Sequence, residues 1–318
     1  MPRMPPDQRR IGAHLPLGTG MVRAVDRARE IGADALQIWT DNPTAWRRRA
    51  EPPSELDAFV ERLRAADIRP VSIHAAYLCN LAGPDPTFFA GTVDILATEL
   101  RGAPSFGARL VNVHIGSHRD TGVATGVARV AEGIRLTLAD VDDGPDAAML
   151  VLENSAGSGW GLGTNVDELA AIADAVDAEG VPRHRVGFCL DAAHAWGAGI
   201  DMSEPAAIDT FLADFDARIG LDRLVLIHAN DSRSERGSRL DRHEHLGAGR
   251  IGPVGLGHLL RHRAVAHAVA ILETPGMDEG YDAINLARAR ALLAGQPLED
   301  LPPEAFSLRS ARARTAPS

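Results

Sequence analysis

Cysteines, aromatic residues and long apolar runs are all scarce in this chain of 318 residues. The two cysteines, Cys79 and Cys189, allow at most one disulfide, and both lie in or beside predicted buried segments. We therefore expect reduced core thiols, as is usual in the cytoplasm. No stretch approaches the roughly 18 consecutive apolar residues that a membrane-spanning helix needs. The N-terminal segment MPRMPPDQRR carries charge but lacks the apolar region of a secretory signal, so we predict a cytoplasmic protein.

Positive charge is outweighed by negative charge. The chain has 33 Lys and Arg residues against 43 Asp and Glu residues, which gives a formal net charge of −10. This balance argues against nonspecific coating of nucleic acid, because such binding rests on basic side chains that neutralise phosphates. It leaves room for an enzyme with a local basic rim. Two arginine clusters could form that rim, namely Arg47–Arg49 and the set Arg233, Arg236, Arg239 and Arg242.

Strand-like and helix-like segments alternate along most of the chain, which is typical of βα units around a parallel sheet. We predict eight strands, at residues 11–15, 34–39, 70–74, 109–114, 148–153, 185–191, 223–228 and 268–273. The segment 21–32 has helical spacing of its apolar residues and should end at Gly32. Ser54 with Asp57, and Asn165 with Glu168, are the capping pairs expected at two helix starts.

Eight such units within about 280 residues predict an α/β protein with a single (β/α)8 TIM-barrel domain. The alternative, an open doubly wound sheet, is disfavoured because no glycine-rich phosphate fingerprint follows the first strand. We place the barrel at residues 11–295, after an N-terminal extension at 1–10. Residues 296–318 form a C-terminal tail in this prediction, packed at best through Leu298, Leu301 and Phe306, with 309–318 disordered.

Nine side chains that can bind metal ions stand at or near the ends of the predicted strands. Six of them end strands three to eight, and three more lie in the loops after strands six and seven: His74, His114, Glu153, Asp191, His228 and Glu273, then His194, Asp241 and His243. In a TIM barrel the carboxyl ends of the strands meet on one face, so these residues should converge. A lone histidine there is usually structural, but the joint pattern indicates a metal centre.

The ligand types suit zinc or manganese. Four carboxylates and five imidazoles are too many for one tetrahedral ion, and a carboxylate that bridges two ions would account for the surplus. Closely spaced ions can stabilise both the attacking and the leaving oxygen of a phosphoryl displacement. His14 ends the first strand and could also face this site, whereas His118, His184 and His245 have no such placement.

Two other interpretations fit a metal-binding barrel. A sugar isomerase or epimerase typically uses one or two metal ions on a few carboxylates and a histidine, and it does not need the Asp241–His243 pair. A non-enzymatic barrel that has lost turnover would be expected to lack a ligand or a bridging carboxylate, and no such residue is missing here.

Several segments resemble the endonuclease IV family of zinc-dependent apurinic/apyrimidinic endonucleases. They are IGAH (11–14), HAAYLCNL (74–81), VHIGSH (113–118), LENSAGSGWGLG (152–163), CLDAAHAWGAGID (189–201), HANDSRSERGSRLDRHEHLGAGRIG (228–252) and ILET (271–274). The stretch from Asp231 to Gly252 is the most specific of these. The resemblance extends from about residue 11 to 290.

The resemblance implies a TIM barrel that holds three zinc ions, with manganese possible at one or more sites. The first ion would be held by His74, His114 and Glu153. Glu153 would bridge to a second ion, and the remaining ligands would be Asp191, His228 and Glu273 for the second ion and His194, Asp241 and His243 for the third.

The family activity is hydrolysis of the phosphodiester 5′ to an abasic site in double-stranded DNA, which leaves a 3′-hydroxyl. By resemblance Glu153 and Glu273 would be catalytic, with Glu153 orienting or deprotonating the attacking water, in a monomeric enzyme. The DNA contacts implied are Tyr77 as a wedge, together with Asn42, Trp46 and Arg242. The wedging arginine of the family aligns with Thr44, for which the Arg47–Arg49 run could substitute, and Trp160 is unusual in its loop.

Overall fold

Parallel strands form a closed barrel in the computed structural model, which describes residues 9–276 and 279–307. The eight barrel strands are β1 (Ile11–His14), β2 (Ala35–Ile38), β3 (Val71–His74), β4 (Ala108–His114), β5 (Met149–Glu153), β6 (Val186–Asp191), β7 (Leu224–His228) and β10 (Val269–Leu272). Each strand pairs in parallel with its neighbours, and β1 closes the ring by pairing with both β2 and β10. The predicted (β/α)8 barrel is confirmed.

Helices surround the barrel and connect its strands. They are α1 (Met21–Glu30), α2 (Leu56–Ala65), α3 (Pro86–Gly102), α4 (Val123–Leu138), α5 (Val166–Ala178), α6 (Ala192–Ala198), α7 (Pro205–Arg218), α8 (Gly252–Arg261) and α9 (Tyr281–Leu293). A two-stranded antiparallel ribbon of β8 (Asp231–Ser232) and β9 (His243–Glu244) lies in the loop after β7. No helix of the described residues is both long and apolar enough to cross a membrane.

The two predicted helix caps have different outcomes. The side chain of Asn165 accepts a hydrogen bond from the Glu168 backbone nitrogen at 3.0 Å, as expected for a capped start of α5. The Ser54 cap is wrong, because the residue at the N-cap of α2 is Glu55, which makes no side-chain cap bond there. The Glu55 carboxylate instead accepts a hydrogen bond from the Met21 backbone nitrogen at 2.7 Å, and so it provides a partner for a backbone donor in the first turn of α1.

The barrel interior is filled in layers because alternate strand residues point inward. An apolar layer of the interior consists of Ala35, Leu110, Val151, Cys189, Leu226, Val269 and Ile271. Their strand neighbours face the helices and belong to the larger core between sheet and helices. Gly12 belongs to the inward set, and a Cβ there would clash with the Ala35 carbonyl, so glycine permits the close approach of β1 and β2.

The described parts of the chain ends contact the barrel, and in the tail these contacts include the residues named in the prediction. Arg9 donates to the Ala268 carbonyl at 3.1 Å. Beyond α9, Leu298 packs against the core, Phe306 lies edge-on to His245, and Leu301 lines a groove. Residues 1–8, 277–278 and 308–318 lie outside the described residues, and these include the stretch predicted to be disordered.

Candidate metal centre

The inward-facing residues change from apolar to polar toward the carboxyl ends of the strands. Glu153 and Asp191 lie two residues after Val151 and Cys189 in their strands, and His228 lies two residues after Leu226. Because side chains alternate with a period of two, each of these polar residues faces the same interior as the apolar residue before it. His74 and His114 end β3 and β4, and Glu273 directly follows β10, so the polar residues form a layer at one mouth of the barrel.

The structure brings all nine predicted ligands together at this mouth. In a first group, the Nε2 atoms of His74 and His114 lie 3.6 Å and 3.5 Å from Oε2 of Glu153. One donor atom from each residue lies within 4.8 Å of the others, which is a separation that a single cation can span. The group matches the first predicted ligand set.

A second group surrounds His228, which is completely buried. The His228 Nδ1 atom lies 3.2 Å from Oε1 of Glu153, 3.2 Å from Oε2 of Glu273 and 3.7 Å from Oδ2 of Asp191. These four residues also place one donor atom each within 4.8 Å of one another. Glu153 thus directs one oxygen to each of the first two groups, as a bridging carboxylate requires.

The third group joins α6 to the loop after β7. The Nε2 atoms of His194 and His243 lie 3.2 Å and 2.9 Å from the two carboxylate oxygens of Asp241. Asp191 also belongs here, since its Oδ2 lies 3.7 Å from Nε2 of His243. The sequence indicated His194, Asp241 and His243 for this set but gave no sign that Asp191 would lie between two groups.

Backbone and amide oxygens fix which ring nitrogen of each histidine faces the centre. The Nδ1 atoms of His74, His194 and His243 lie 2.8–2.9 Å from the carbonyl oxygens of Ala75, Asn154 and Glu273. His228 uses the opposite nitrogen, with Nε2 at 3.1 Å from Oε1 of Gln37. Since such oxygens only accept hydrogen bonds, that nitrogen carries a proton, and the other ring nitrogen faces the cluster, where it can bind a cation once it is deprotonated. This outer shell is characteristic of metal-binding histidines.

Amide side chains donate hydrogen bonds to the carboxylates of the centre, and the sequence did not lead us to predict these amides. Asn112 donates to Oε2 of Glu153 at 2.6 Å, Gln37 to Oε1 of Glu273 at 2.7 Å, and Asn230 to Oδ2 of Asp191 at 2.7 Å. Gln37 and Asn112 are polar residues within otherwise apolar strands, on the inward register. That position was a usable signal, because a buried amide needs a polar partner inside the barrel.

Carboxylates and imidazoles lie close together in this centre and away from water, so each group shifts the pKa of its neighbours. Burial alone would raise the pKa of Glu153, but the charges of His228 and His114 outweigh it and hold that pKa well below its usual range. Burial alone would lower the pKa of His243, yet Asp241 raises it to about 9. Negative charge in this centre therefore demands positive charge nearby. Divalent cations satisfy that demand and let the histidines act as neutral ligands, so the residues present fit a metal centre.

Comparisons with known proteins identify the family to which the chain belongs. Residues 25–296 match the family model of the xylose isomerase-like TIM barrel. A probable endonuclease 4 of Methanoculleus marisnigri is 39% identical over 282 residues, which are 89% of this chain and 98% of that protein. The crystal structure of endonuclease IV from Thermus thermophilus is 36% identical, with a TM-score of 0.76 over 90% of this chain and 99% of that chain. The chain belongs to the endonuclease IV family.

Sugar-modifying barrels resemble this endonuclease IV family member only in fold. A D-tagatose 3-epimerase-like protein of known structure is 15% identical, with a TM-score of 0.61 over 96% of this chain and 99% of that chain. Identity at this level carries no information on activity.

The loop that supplies Asp241 and His243 is built around a buried carboxylate. Asp231 accepts hydrogen bonds from the backbone nitrogens of Gly249 and Ile251 at 2.9 Å and 3.0 Å. These bonds close the loop onto its own start, since Asp231 lies in β8 and the two donors precede α8. The most specific stretch of the endonuclease IV resemblance is therefore also the stretch that positions the third group.

An open cleft of about 510 Å³ leads to the metal centre of this endonuclease IV family member, with His114, Glu153, His194 and Asp241 in its wall. Tyr77 stands at its rim with 54% of its surface exposed, and its ring centroid lies 6.0 Å from that of His74. Partial burial, together with the negative charges of Glu273 and Asp241, raises the pKa of Tyr77 to about 12, so it remains a neutral phenol.

The loop after β2 presents fewer free arginines than its sequence indicates. Arg48 turns inward, where it lies 3.8 Å from Glu99, and Arg49 pairs with Asp41 at 3.0 Å. Arg47 is exposed and has no ion pair within the described part of the chain. It is therefore the member of the Arg47–Arg49 run that is available to a phosphate.

The remaining residues of this loop have structural partners. The Asn42 carboxamide oxygen accepts from the backbone nitrogen and hydroxyl of Thr44 at 3.0 Å and 2.8 Å, and Trp46 lies edge-on to Phe88 at 5.3 Å. In the second arginine cluster Arg236 pairs with Asp201, while Arg233, Arg239 and Arg242 are exposed and have no ion pair to any described residue.

The other histidines and Trp160 are placed as follows. His14 faces the centre, 3.3 Å from Oε1 of Glu273, whereas His118, His184 and His245 bind elements outside it. Trp160 is 58% exposed and has a left-handed backbone with φ of 62°. Its carbonyl accepts from the His118 nitrogen at 3.2 Å, so the loops after β4 and β5 are joined and present the indole outward.

Proposed function

We propose that the protein hydrolyses the phosphodiester 5′ to an abasic site in double-stranded DNA and leaves a 3′-hydroxyl. It is a DNA-cleaving hydrolase of the endonuclease IV family, in line with relatives named endonuclease 4. The observation that carries the proposal is the cluster of nine ligands, and above all the Asp241–His243 pair that completes its third group. The two buried free thiols suit a reducing compartment, and we propose a monomeric cytoplasmic enzyme.

We propose that the centre holds three zinc ions, with manganese able to replace zinc at one or more positions. His74, His114 and Glu153 would hold the first ion, and Glu153, Asp191, His228 and Glu273 the second. His194, Asp241 and His243 would hold the third. The ligand set of imidazoles and carboxylates supports this choice, because both ions accept such ligands.

Bound there, the ions would supply Lewis-acid stabilisation of the charge that develops on phosphate oxygens. Glu153 is the residue proposed to orient the attacking water or to accept its proton. Its carboxylate is ionised at neutral pH, since its pKa lies well below the usual range, and Asn112 fixes its orientation. Glu273 is the second catalytic carboxylate of the proposal, and it is held by Gln37 so that its other oxygen faces His228.

The DNA-facing residues proposed are Tyr77, Asn42, Trp46 and Arg242. Tyr77 and Trp46 expose ring surface on which a base can stack. Arg242 is exposed and lies between two residues of the third group, where a guanidinium can meet a phosphate.

The main rival function is isomerisation or epimerisation of a sugar on the same barrel. A duplex with one natural abasic site and a ketohexose are each incubated with the metal-replete protein. We expect strand cleavage whose 3′ end a DNA polymerase can extend, and no epimerised sugar. Epimerisation without strand cleavage would refute the nuclease and establish the rival, and neither reaction would indicate a barrel that has lost turnover.

Replacing Tyr77 by alanine should weaken binding to abasic duplex by about 5- to 150-fold, the range that corresponds to about 1–3 kcal/mol for a stacked base. Binding to intact duplex should change much less, because no nucleotide is displaced there. Fluorescence anisotropy on both duplexes measures the two losses. The control is Tyr77→Phe, which keeps the ring and should bind nearly normally. Equal losses on both duplexes would make Tyr77 a packing residue.

Replacing Arg47 by alanine should weaken DNA binding about equally on abasic and intact duplex, because a phosphate contact carries no lesion information. The slope of log affinity against log salt concentration should fall in magnitude by about one. Arg101 provides the matched control, because it is also an exposed arginine. It lies at the end of α3, near the start of β4, whereas the metal centre lies at the carboxyl ends of the strands. An unchanged slope for Arg47→Ala would remove this residue from the interface.

A further inference from the structure

A second group of metal-binding side chains lies on the outer helix layer, apart from the nine residues of the barrel mouth. It consists of Asp209 on α7, His258 on α8 and His262 directly after α8. His258 and His262 are four residues apart and therefore lie on the same side of the helix. Their ring centroids are 5.5 Å apart.

Both imidazoles direct the same atom to the same carboxylate oxygen. The Nε2 atom of His258 lies 2.5 Å from Oδ1 of Asp209, and that of His262 lies 3.3 Å from it. One donor atom from each of the three residues lies within 4.8 Å of the others. Two imidazoles and one carboxylate are the three protein ligands that many zinc sites use, with the remaining position open to water.

We propose that Asp209, His258 and His262 bind one divalent transition-metal ion of the zinc class, in addition to the ions of the barrel mouth. The site shares no residue with the nine ligands of the centre, and its side chains are 54%, 29% and 21% exposed, so the ion exchanges with solvent. With three protein ligands in a half-exposed position, it binds more weakly than the buried centre.

An ion here fastens α7 to α8. These helices precede and follow, in sequence, the strand β7 and the loop that carries Asp241 and His243. The guanidinium of Arg261, which is next to His262 in sequence, is engaged with the Leu292 carbonyl and does not compete for Asp209. The expected effect of the ion is stabilisation of the fold against unfolding, since it binds the packed helices and not the unfolded chain.

The test is titration of the metal-replete protein with zinc by calorimetry, with bound metal counted after gel filtration. The wild type should take up one further ion per chain, and His258→Ala and Asp209→Asn should each lose it. Added zinc should also raise the unfolding temperature of the wild type more than that of either variant. Incision of abasic DNA should be the same in all three proteins, which separates this proposal from the nuclease function.

His184→Ala is the matched control, because His184 forms an exposed pair with Asp143 at 3.1 Å without a second imidazole. It should bind as much zinc as the wild type. The proposal is overturned if the wild type takes up no further ion, or if the further ion persists undiminished in both His258→Ala and Asp209→Asn.

Discussion

Glu273→Gln is expected to lower the rate of phosphodiester cleavage by about a hundredfold to a thousandfold, the loss typical of removing a group that stabilises transition-state charge. Glu273 contributes a negative charge to the second group, with its Oε2 atom 3.2 Å from Nδ1 of His228. Glutamine has the same size and can still face Gln37, but its neutral amide no longer compensates a cation. The barrel should remain folded, because the substitution leaves no cavity. Single-turnover incision rates and circular dichroism measure the two effects.

The control for this variant is Glu99→Gln, a buried glutamate outside the centre that accepts a hydrogen bond from Thr40 at 2.6 Å. Burial raises the pKa of Glu99, which reduces the cost of an uncharged side chain there, and cleavage should be nearly normal because Glu99 lies outside the centre. Turnover close to wild type in Glu273→Gln would contradict the second metal position, and equal losses in both variants would point to a general effect of buried charge.

Removing the metal ions should reverse the dependence of stability on pH. In the metal-free centre the pKa of His243 is raised to about 9 by Asp241, against the effect of burial, and the pKa values of His194 and His228 are also raised. A histidine with a raised folded pKa stabilises the fold fully below its unfolded value near 6.5, and that stabilisation is lost as pH rises through the folded value. The metal-free protein should therefore lose stability between about pH 6.5 and 9.

The metal-bound protein should behave in the opposite way over the same range. Ions bind neutral imidazoles, so binding releases protons and becomes stronger as pH rises. Glu153 and Glu273 have lowered pKa values and lose their stabilisation only as pH falls, below this window. Thermal unfolding at pH 6.5 and 9, with and without chelator, should show a stabilisation by metal that grows with pH. A metal-free unfolding temperature that rises with pH would contradict the charge assignment.

The convergence of the candidate ligands at one mouth of the barrel could be predicted from sequence because two regularities combine. Parallel strands in a barrel end on one face, and every second residue of a strand points inward. A metal-binding residue at the end of an apolar strand can therefore be assigned to the barrel mouth. Asp241 and His243 follow no strand end, and they were found through the resemblance and their spacing. The hydrogen bonds that Asp231 accepts close this loop onto its own start, and the loop brings Asp241 and His243 to the barrel mouth.

Features that depend on tertiary partners were not predictable in the same way. Gln37 and Asn112 look like interruptions of apolar strands until the carboxylates opposite them are placed. The Arg47–Arg49 run looks like three equivalent charges, but the nearby acidic residues Glu99 and Asp41 remove two of them from the surface. His258 and His262 become candidate metal ligands only because α7 places Asp209 beside them.

The most direct test of the account is incision of a labelled duplex that contains one tetrahydrofuran abasic analogue, with metal content measured on the same preparation. The analogue has no aldehyde, so a lyase that acts by β-elimination cannot cleave it. Asp209→Asn is assayed in parallel, so that only ions of the barrel mouth are counted. The account predicts incision 5′ to the analogue, an uncut intact duplex and three ions per chain in that variant. A fully metallated protein that leaves the analogue duplex uncut would contradict it.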